Sequence, residues 1–131
     1  MPVRGIRGAT TAAANTPEAI LGATAEMLQA LVAANDIDPA EIACAFLTTT
    51  PDLDAEFPAA AARGLGWDRV ALLCGHDMNV TAPNPRAVAR CIRVLVLYNT
   101  SRPQSAFSAV YLREAERIRV EIERERVEPR P

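Results

Sequence analysis

The chain has 131 residues, of which 50% are hydrophobic, so its length is that of one domain with a substantial core. It carries 14 basic and 16 acidic side chains, a net charge of -2, which argues against a nucleic-acid partner because such proteins usually present a basic surface. Every basic side chain is an arginine and His76 is the one histidine, so a Walker-type phosphate loop, a Schiff-base lysine and a His-rich metal site are excluded.

Neither the N-terminal sequence nor the cysteines indicate secretion or a membrane. The first residues contain no apolar signal region, and no apolar run approaches the roughly 20 residues that a membrane helix needs. Cys44, Cys74 and Cys91 have a wide, irregular spacing that fits neither a disulfide framework nor a CxxC site. We interpret each as a small buried apolar residue and expect a soluble, reduced, cytoplasmic protein with no membrane partner.

The first half of the chain predicts a strand, a helix and a second strand. Residues 3–9 read as a short strand containing two glycines. Thr16, Pro17 and Glu18 are typical of a helix start, and the helix is predicted to run to about Asn35. Its buried face should comprise Ile20, Thr24, Met27, Leu28 and Leu31. A strand over residues 42–50 should end at Pro51.

The second half predicts shorter elements. In chain order they are a helix over residues 58–63, a strand over 69–74, a loop over 79–85, a helical turn over 86–89, and strands over 91–98 and 107–112. From residue 113 onward six arginines and six glutamates balance, which predicts a solvated helix or a frayed tail rather than a binding arm. The whole indicates an α/β or α+β domain with a mixed sheet of four to five strands over residues 1–118, and a charged tail over 119–131.

Arg93 is the most informative residue of the predicted strand over residues 91–98. Alternation places it on one face with Cys91, Leu95 and Leu97, and both faces are otherwise apolar, so we expect the strand to be covered on both sides. A guanidinium in that setting requires an anion, which could be a ligand or a carboxylate of the chain itself. Arg7 shares a face with Gly5, and it could equally contact a ligand or be an exposed arginine on an edge strand.

Two convergent arginines favour a small molecule with several carboxylates, because a guanidinium binds a carboxylate in bidentate fashion; phosphates are not ruled out. His76 and Asp77 follow a predicted strand and could suggest general-base chemistry. Adjacent residues seldom face each other as a pair, however, and no serine lies in a Gly-x-Ser-x-Gly elbow, so a hydrolase is disfavoured.

Four sequence blocks resemble the monofunctional, trimeric chorismate mutases of the AroH class. The blocks are Arg-Gly-Ile-Arg-Gly-Ala-Thr-Thr at 4–11; Thr-Pro-Asp-Leu at 50–53 followed by Phe-Pro-Ala at 57–59 and Arg63; Cys-Ile-Arg-Val at 91–94; and Val-Tyr-Leu at 110–112. Each block alone is weak evidence, but the four occur in order and span residues 3–118. The resemblance implies a mixed five-stranded sheet packed with helices, and three subunits that form a pseudo-barrel with sites at the clefts between them.

The resemblance also implies the rearrangement of chorismate to prephenate in aromatic amino-acid biosynthesis, with no cofactor, metal or covalent intermediate. It assigns to Arg93 the cation at the ether oxygen, to Arg7 and Tyr111 the binding of a carboxylate, and to Cys74 a place near the substrate hydroxyl and ring. The residues expected in the part of the pocket wall offered by the neighbouring subunit are Phe57, Ala59, Arg63 and Leu73.

Three positions depart from the family pattern. Asp77 replaces a glutamate that contacts the ring hydroxyl, Ala60 replaces a lysine, and the loop over residues 79–89 is about four residues longer. These departures motivate two alternatives to a chorismate mutase: a related enzyme that acts on a chorismate- or prephenate-like acid in a specialised pathway, and a non-catalytic binding trimer.

Overall fold

The protein is described by a computed structural model over residues 1–127. Its main elements are β1 (Val3–Thr11), α1 (Pro17–Asn35), β2 (Ile42–Thr49), α2 (Ala59–Gly64), β3 (Ala71–His76), β4 (Cys91–Asn99), β5 (Val110–Tyr111) and α3 (Glu116–Val127). The strands form one sheet in the order β3-β2-β4-β1-β5. β4 is antiparallel to both β1 and β2, whereas β2–β3 and β1–β5 are parallel pairs, so the predicted mixed five-stranded sheet is confirmed.

Helix α1 begins and ends where the sequence predicts. The Thr16 hydroxyl accepts a hydrogen bond from the Ala19 amide, Pro17 occupies the first turn, and Asp36 ends the helix in the left-handed conformation. The five predicted core residues of this helix are all fully buried. A Cβ atom at Gly8 would lie 3.2 Å from Val94 and 3.5 Å from Met27, so the glycine lets the helix pack closely on the sheet.

The prediction that both faces of β4 are covered is wrong for the single chain. Ile92, Val94 and Val96 are buried beneath the helix, whereas Arg93 and Leu95 on the other face are exposed. The sheet register places further apolar side chains, including Phe46 of β2 and Leu73 of β3, on that side. We call this the open face of the sheet. Helix α1 packs on the covered face, whereas α3 reaches the open face at Ile118 and leaves Phe46, Leu73 and Leu95 exposed.

Two of the shorter predicted elements differ from those observed. Strand β5 covers only Val110–Tyr111 instead of residues 107–112, because the Asn35 side chain hydrogen-bonds both the amide and the carbonyl of Ser108 and holds that backbone at the end of α1. Residues 86–89 form turns and irregular structure rather than a helical turn, and Arg90 next to them has a positive φ of 49°.

The charged C-terminal segment forms a helix as far as it is described. The sequence predicted either a solvated helix or a frayed tail, and the helix α3 is observed. This helix begins before the expected domain boundary at residue 118. The division into residues 1–118 and 119–131 stays a prediction, and residues 128–131 lie outside the described part of the chain. Within residues 1–127, no helix is both long enough and apolar enough to cross a membrane.

Candidate active site

Arg93 and Asp77 form an ion pair where β4 and the end of β3 lie on either side of β2. The Arg93 guanidinium donates to both carboxylate oxygens of Asp77, with Nε 2.5 Å from Oδ2, and the Thr48 hydroxyl donates to the same oxygen at 3.3 Å. The Asp77 amide donates to the carbonyl of Thr49 at 2.8 Å, which fixes the backbone of this residue. The sequence left open whether Arg93 meets a ligand or a carboxylate of its own chain. In the single chain its partner is the Asp77 carboxylate.

The ion pair with Asp77 holds the charged Arg93 guanidinium in place and leaves some of its N–H donors unused. The hydrogen bond to Asp77 raises the pKa of Arg93 above its usual value, although partial burial acts in the opposite direction. About half of the Arg93 side chain is exposed, against 16% for Asp77. A guanidinium has five N–H donors, and the Nη1 group of Arg93 makes no hydrogen bond within residues 1–127. A ligand can therefore bind Arg93 without breaking its contact with Asp77.

A cleft of about 280 Å³ brings four of the predicted site residues together. We call it the arginine cleft, and its walls include Arg7, Asp77, Arg93 and Tyr111. The sheet register explains this convergence, because Ala9 of β1 pairs with Arg93 on one side and with Tyr111 on the other, and Arg7 is two residues away on the same face.

The remaining predicted residues lie elsewhere in the chain. Phe57 and Cys74 line a separate cavity of about 390 Å³, which we call the Phe57 cavity. Cys74 pairs with Leu47, which in turn pairs with Val94, so Cys74 lies on the helix-covered face of the sheet while Arg93 lies on the open face. The structure thus does not bring Cys74 and Arg93 into one site within one chain.

Four of the predicted residues differ in their exposure. Phe57 and Leu73 are 69% and 62% exposed, and Arg63 of α2 is also exposed. Ala59, in contrast, is buried at the start of the same helix. Exposed apolar side chains that form a contiguous patch are typical of interaction surfaces.

Helix α3 contributes a wall residue, Ile118, that is not among the predicted site residues. Its signal in the sequence was an isoleucine within a strongly charged segment. Ile118 lines both the arginine cleft and an adjoining cavity of about 450 Å³, which the long loop and α3 enclose. An ion pair between Arg86 and Glu125 joins that loop to the helix.

The cysteines are free thiols, as predicted, but they are not all buried. Cys91 is buried, and burial raises its pKa to about 11, so this thiol is unreactive. Cys44 and Cys74 are half-buried in the single chain, which corrects the interpretation of each cysteine as a fully buried residue. Cys44 pairs with Leu97 and lies on the open face.

Residues 3–122 match the family chorismate mutase type I. The chain belongs to this family. It is 48% identical over 122 residues to chorismate mutase AroH of Thermus thermophilus, an alignment that covers 92% of this chain and 97% of that protein. It is 38% identical over 123 residues to chorismate mutase AroH of Bacillus subtilis, covering 93% and 94%.

A solved structure gives the same result. The chorismate mutase from Clostridium thermocellum superposes with a TM-score of 0.80 at 38% identity, covering 86% of this chain and 96% of that one. The resemblance predicted from the four sequence blocks is therefore confirmed, and so is the fold. A chorismate mutase function is the reading that this family membership supports, rather than a specialised paralogue or a binding protein.

Proposed function

We propose that this chorismate mutase converts chorismate to prephenate in the arginine cleft, and that a neighbouring subunit of a homotrimer completes the cleft. One observation carries the proposal: the sheet register of a single chain brings Arg7, Arg93 and Tyr111 to one open cleft beside Asp77. Two cations and a phenol suit a substrate with two carboxylates and an ether oxygen, which all accept hydrogen bonds.

Arg7 and Tyr111 are proposed to bind substrate carboxylate. The Arg7 guanidinium makes no hydrogen bond or ion pair within residues 1–127, so its donors are available to a ligand. Tyr111 is half-buried beside it and offers a hydroxyl. Holding the carboxylates favours the folded conformer in which the two reacting ends of chorismate are close, and this reduces the entropic part of the barrier.

Arg93 is proposed to stabilise the transition state. The rearrangement breaks a carbon–oxygen bond, so negative charge grows on the ether oxygen as the reaction proceeds. A cation that is already fixed beside this oxygen stabilises the transition state more than the substrate, an effect worth about 3–4 kcal/mol in comparable oxyanion sites. Asp77 holds the guanidinium in place before substrate arrives. The reaction transfers no proton, so it needs no general base.

The homotrimer is proposed because one chain holds only half of the expected site. Phe57 and Leu73 are exposed, and Phe46 and Leu95 lie uncovered on the open face. A second subunit that covers this face would bury these side chains and could present its own Phe57, Arg63, Leu73 and Cys74 to the cleft. Ala59 is buried in its own chain, so we assign it the support of Phe57 rather than a side-chain contact with substrate.

We also propose a cytoplasmic location. Three free thiols are typical of a reducing compartment, and aromatic amino-acid biosynthesis is the pathway that this activity serves. Fractionation of cells that express the protein, with activity measured in each fraction, would test the location. Activity recovered outside the cytoplasmic fraction would contradict it.

The test of the function is turnover of chorismate by the purified chain, with the product identified by NMR, alongside sedimentation analysis of the oligomer. We expect prephenate at an enzymatic rate from a trimer. Turnover by a stable monomer would contradict the shared cleft while leaving the activity intact. Binding of chorismate without turnover would contradict the activity.

A further inference from the structure

Asn35 is the last residue of α1, and it is buried with all the polar groups of its side chain engaged. Its Nδ2 group donates to the carbonyl oxygens of Leu31 and Ser108, both at 3.0 Å. Its Oδ1 atom accepts from the Ser108 amide at 2.8 Å. Only a side chain that carries both donors and an acceptor can make this set of hydrogen bonds.

The helix itself does not require the two bonds to Ser108. The bond to Leu31 lies within α1, and Asp36 already ends this helix in the left-handed conformation, with its amide bonded to the Val32 carbonyl. Ser108, in contrast, lies 73 positions further along the chain, in the segment that leads into β5. The bonds to Ser108 therefore hold the start of β5 and not the end of the helix.

Tyr111 depends on its backbone for its position. Its hydroxyl makes no hydrogen bond to any of residues 1–127, so no polar contact within that part of the chain orients its side chain. The strand β5 has only two residues that pair with β1. Beyond the end of β5, the Leu112 amide donates to the Ala9 carbonyl at 2.9 Å. Before its start, the anchor is the contact between Asn35 and Ser108.

We infer that Asn35 is a positioning residue for Tyr111: by holding Ser108, it sets where the Tyr111 hydroxyl lies in the arginine cleft. The inference rests on the proposed function, in which Tyr111 binds a substrate carboxylate. Asn35 is not among the residues that line the cleft, so it acts through β5 and not by contact with the substrate. A displaced hydroxyl binds the carboxylate less well, because a hydrogen bond weakens steeply as its geometry departs from the optimum.

The segment before β5 keeps other contacts to the end of α1 when the Asn35 side chain is changed. Arg102 donates to the main-chain carbonyls of Asn35 and Asp36 at 3.0 and 3.2 Å. Its guanidinium also lies over the ring of Phe107, 4.4 Å from the ring centre. None of these contacts uses the Asn35 side chain. A substitution of Asn35 should therefore shift β5 without releasing the segment from the helix.

A double-mutant cycle on kcat/KM for chorismate tests the inference. Asn35→Ser leaves a hydroxyl that can bond to the Leu31 carbonyl within the helix but is too short to reach Ser108. Tyr111→Phe removes only the phenol oxygen. We expect Tyr111→Phe to lower kcat/KM roughly 10-fold and Asn35→Ser roughly 3- to 10-fold, mainly through a higher KM. In the Tyr111→Phe background, Asn35→Ser should change kcat/KM by less than about 2-fold, because the hydroxyl through which it acts is gone.

Thr24→Val is the matched control. Thr24 is a buried polar residue of the same helix, and its hydroxyl donates to the Ile20 carbonyl within that helix at 2.7 Å. We expect this variant to lower the melting temperature, as Asn35→Ser does, but to leave kcat/KM unchanged. If Asn35→Ser does not fold, Asn35→Asp replaces it in the cycle. This variant keeps the volume and the acceptor for the Ser108 amide but loses the donor to the Ser108 carbonyl.

Equal losses from Asn35→Ser in both backgrounds would overturn the inference, because Asn35 would then act on the domain as a whole and not through Tyr111. A lower melting temperature with unchanged kcat/KM would overturn it as well, since that is the result of a purely structural role. Failure of the proposed function gives a different result. The wild-type protein would then not convert chorismate, which would remove the substrate role of Tyr111 and the inference with it.

Discussion

The arginine cleft and the Phe57 cavity differ chemically, and we propose that they form the two halves of one shared site. In the cleft, β1, β4 and β5 lie side by side, and their pairing fixes Arg7, Arg93 and Tyr111 on one face. In the cavity, Phe57 follows a loop and Cys74 belongs to the edge strand β3, and the lining charges are acidic. The first half can bind anions as it stands in one chain. Under the proposal, Phe57 and Cys74 of the second half act on a substrate only across an interface.

The two regions differ in what positions their side chains within one chain. Arg7 and Arg93 belong to the inner strands β1 and β4, and Tyr111 belongs to the edge strand β5 that pairs with β1, so strand pairing brings these three residues together. Phe57 and Leu73 have large exposed apolar surface, and the proposal gives them their role through association with a neighbouring subunit. Substitutions in the two halves should therefore change different properties, and those of Arg93, Arg7 and Asp77 should have successively smaller effects.

Replacing Arg93 should have the largest effect. Arg93→Ala removes the cation proposed to stabilise the ether oxygen, so kcat should fall by about 10²- to 10³-fold or more. The matched control is Arg69→Ala, because Arg69 is exposed and lines neither half of the site. Steady-state kinetics of both variants check this, and thermal unfolding should show that each remains folded. A rate close to wild type in Arg93→Ala would remove this residue from the mechanism.

Replacing Arg7 should weaken binding more than it slows the chemistry. Arg7→Ala removes charged hydrogen bonds to a substrate carboxylate, each worth about 1.5–3 kcal/mol, so kcat/KM should fall roughly 10- to 100-fold. Because this contact is made to the substrate as well as to the transition state, most of the loss should appear as a higher KM. A loss confined to kcat would place Arg7 at the reacting bond instead.

Replacing Asp77 should have a smaller effect that depends on charge. Asp77→Asn keeps the shape but weakens the contact that orients Arg93, and we expect kcat to fall by roughly 10-fold because charge-assisted hydrogen bonds are about twice as strong as neutral ones. Asp77→Glu keeps the charge at the longer reach found in the family and should stay within roughly 3-fold of wild type. If Asn were tolerated and Glu were not, the length of the side chain would matter more than its charge.

The sequence predicted the sheet and the arginine half of the site well, because both depend on local patterns. Alternation places Arg93 on the face opposite Ile92 and Val94, and the helix start at Thr16 is capped as predicted. The four blocks predicted the family, which is confirmed, whereas the residue roles that the resemblance implies stay predictions. The alternation of side chains along the strands does not predict the contact between Arg93 and Asp77, because this contact depends on the path of the chain after the end of β3.

Other features could not be predicted from the sequence. The short β5 results from Asn35 side-chain bonds to Ser108, a contact between residues 73 positions apart. The open face of β4 has the same apolar alternation as a face buried by a helix, so the pattern cannot tell what covers it. The position of Ile118 over the cleft depends on the path of α3. The balanced charges of this segment do not predict which surface of the domain the helix contacts.

The central claim is that two subunits share each site, and complementation between two defective variants tests it most directly. Arg93→Ala damages the arginine cleft, and Phe57→Ser damages the opposite half at an exposed position that should not affect folding. The two variants would be co-expressed with different tags, purified as mixed oligomers and assayed against each variant alone. If each site combines halves from two adjacent subunits, random assembly restores intact sites, and activity should rise to about a quarter of the wild-type value. A mixture no more active than the average of the two variants would contradict the shared site.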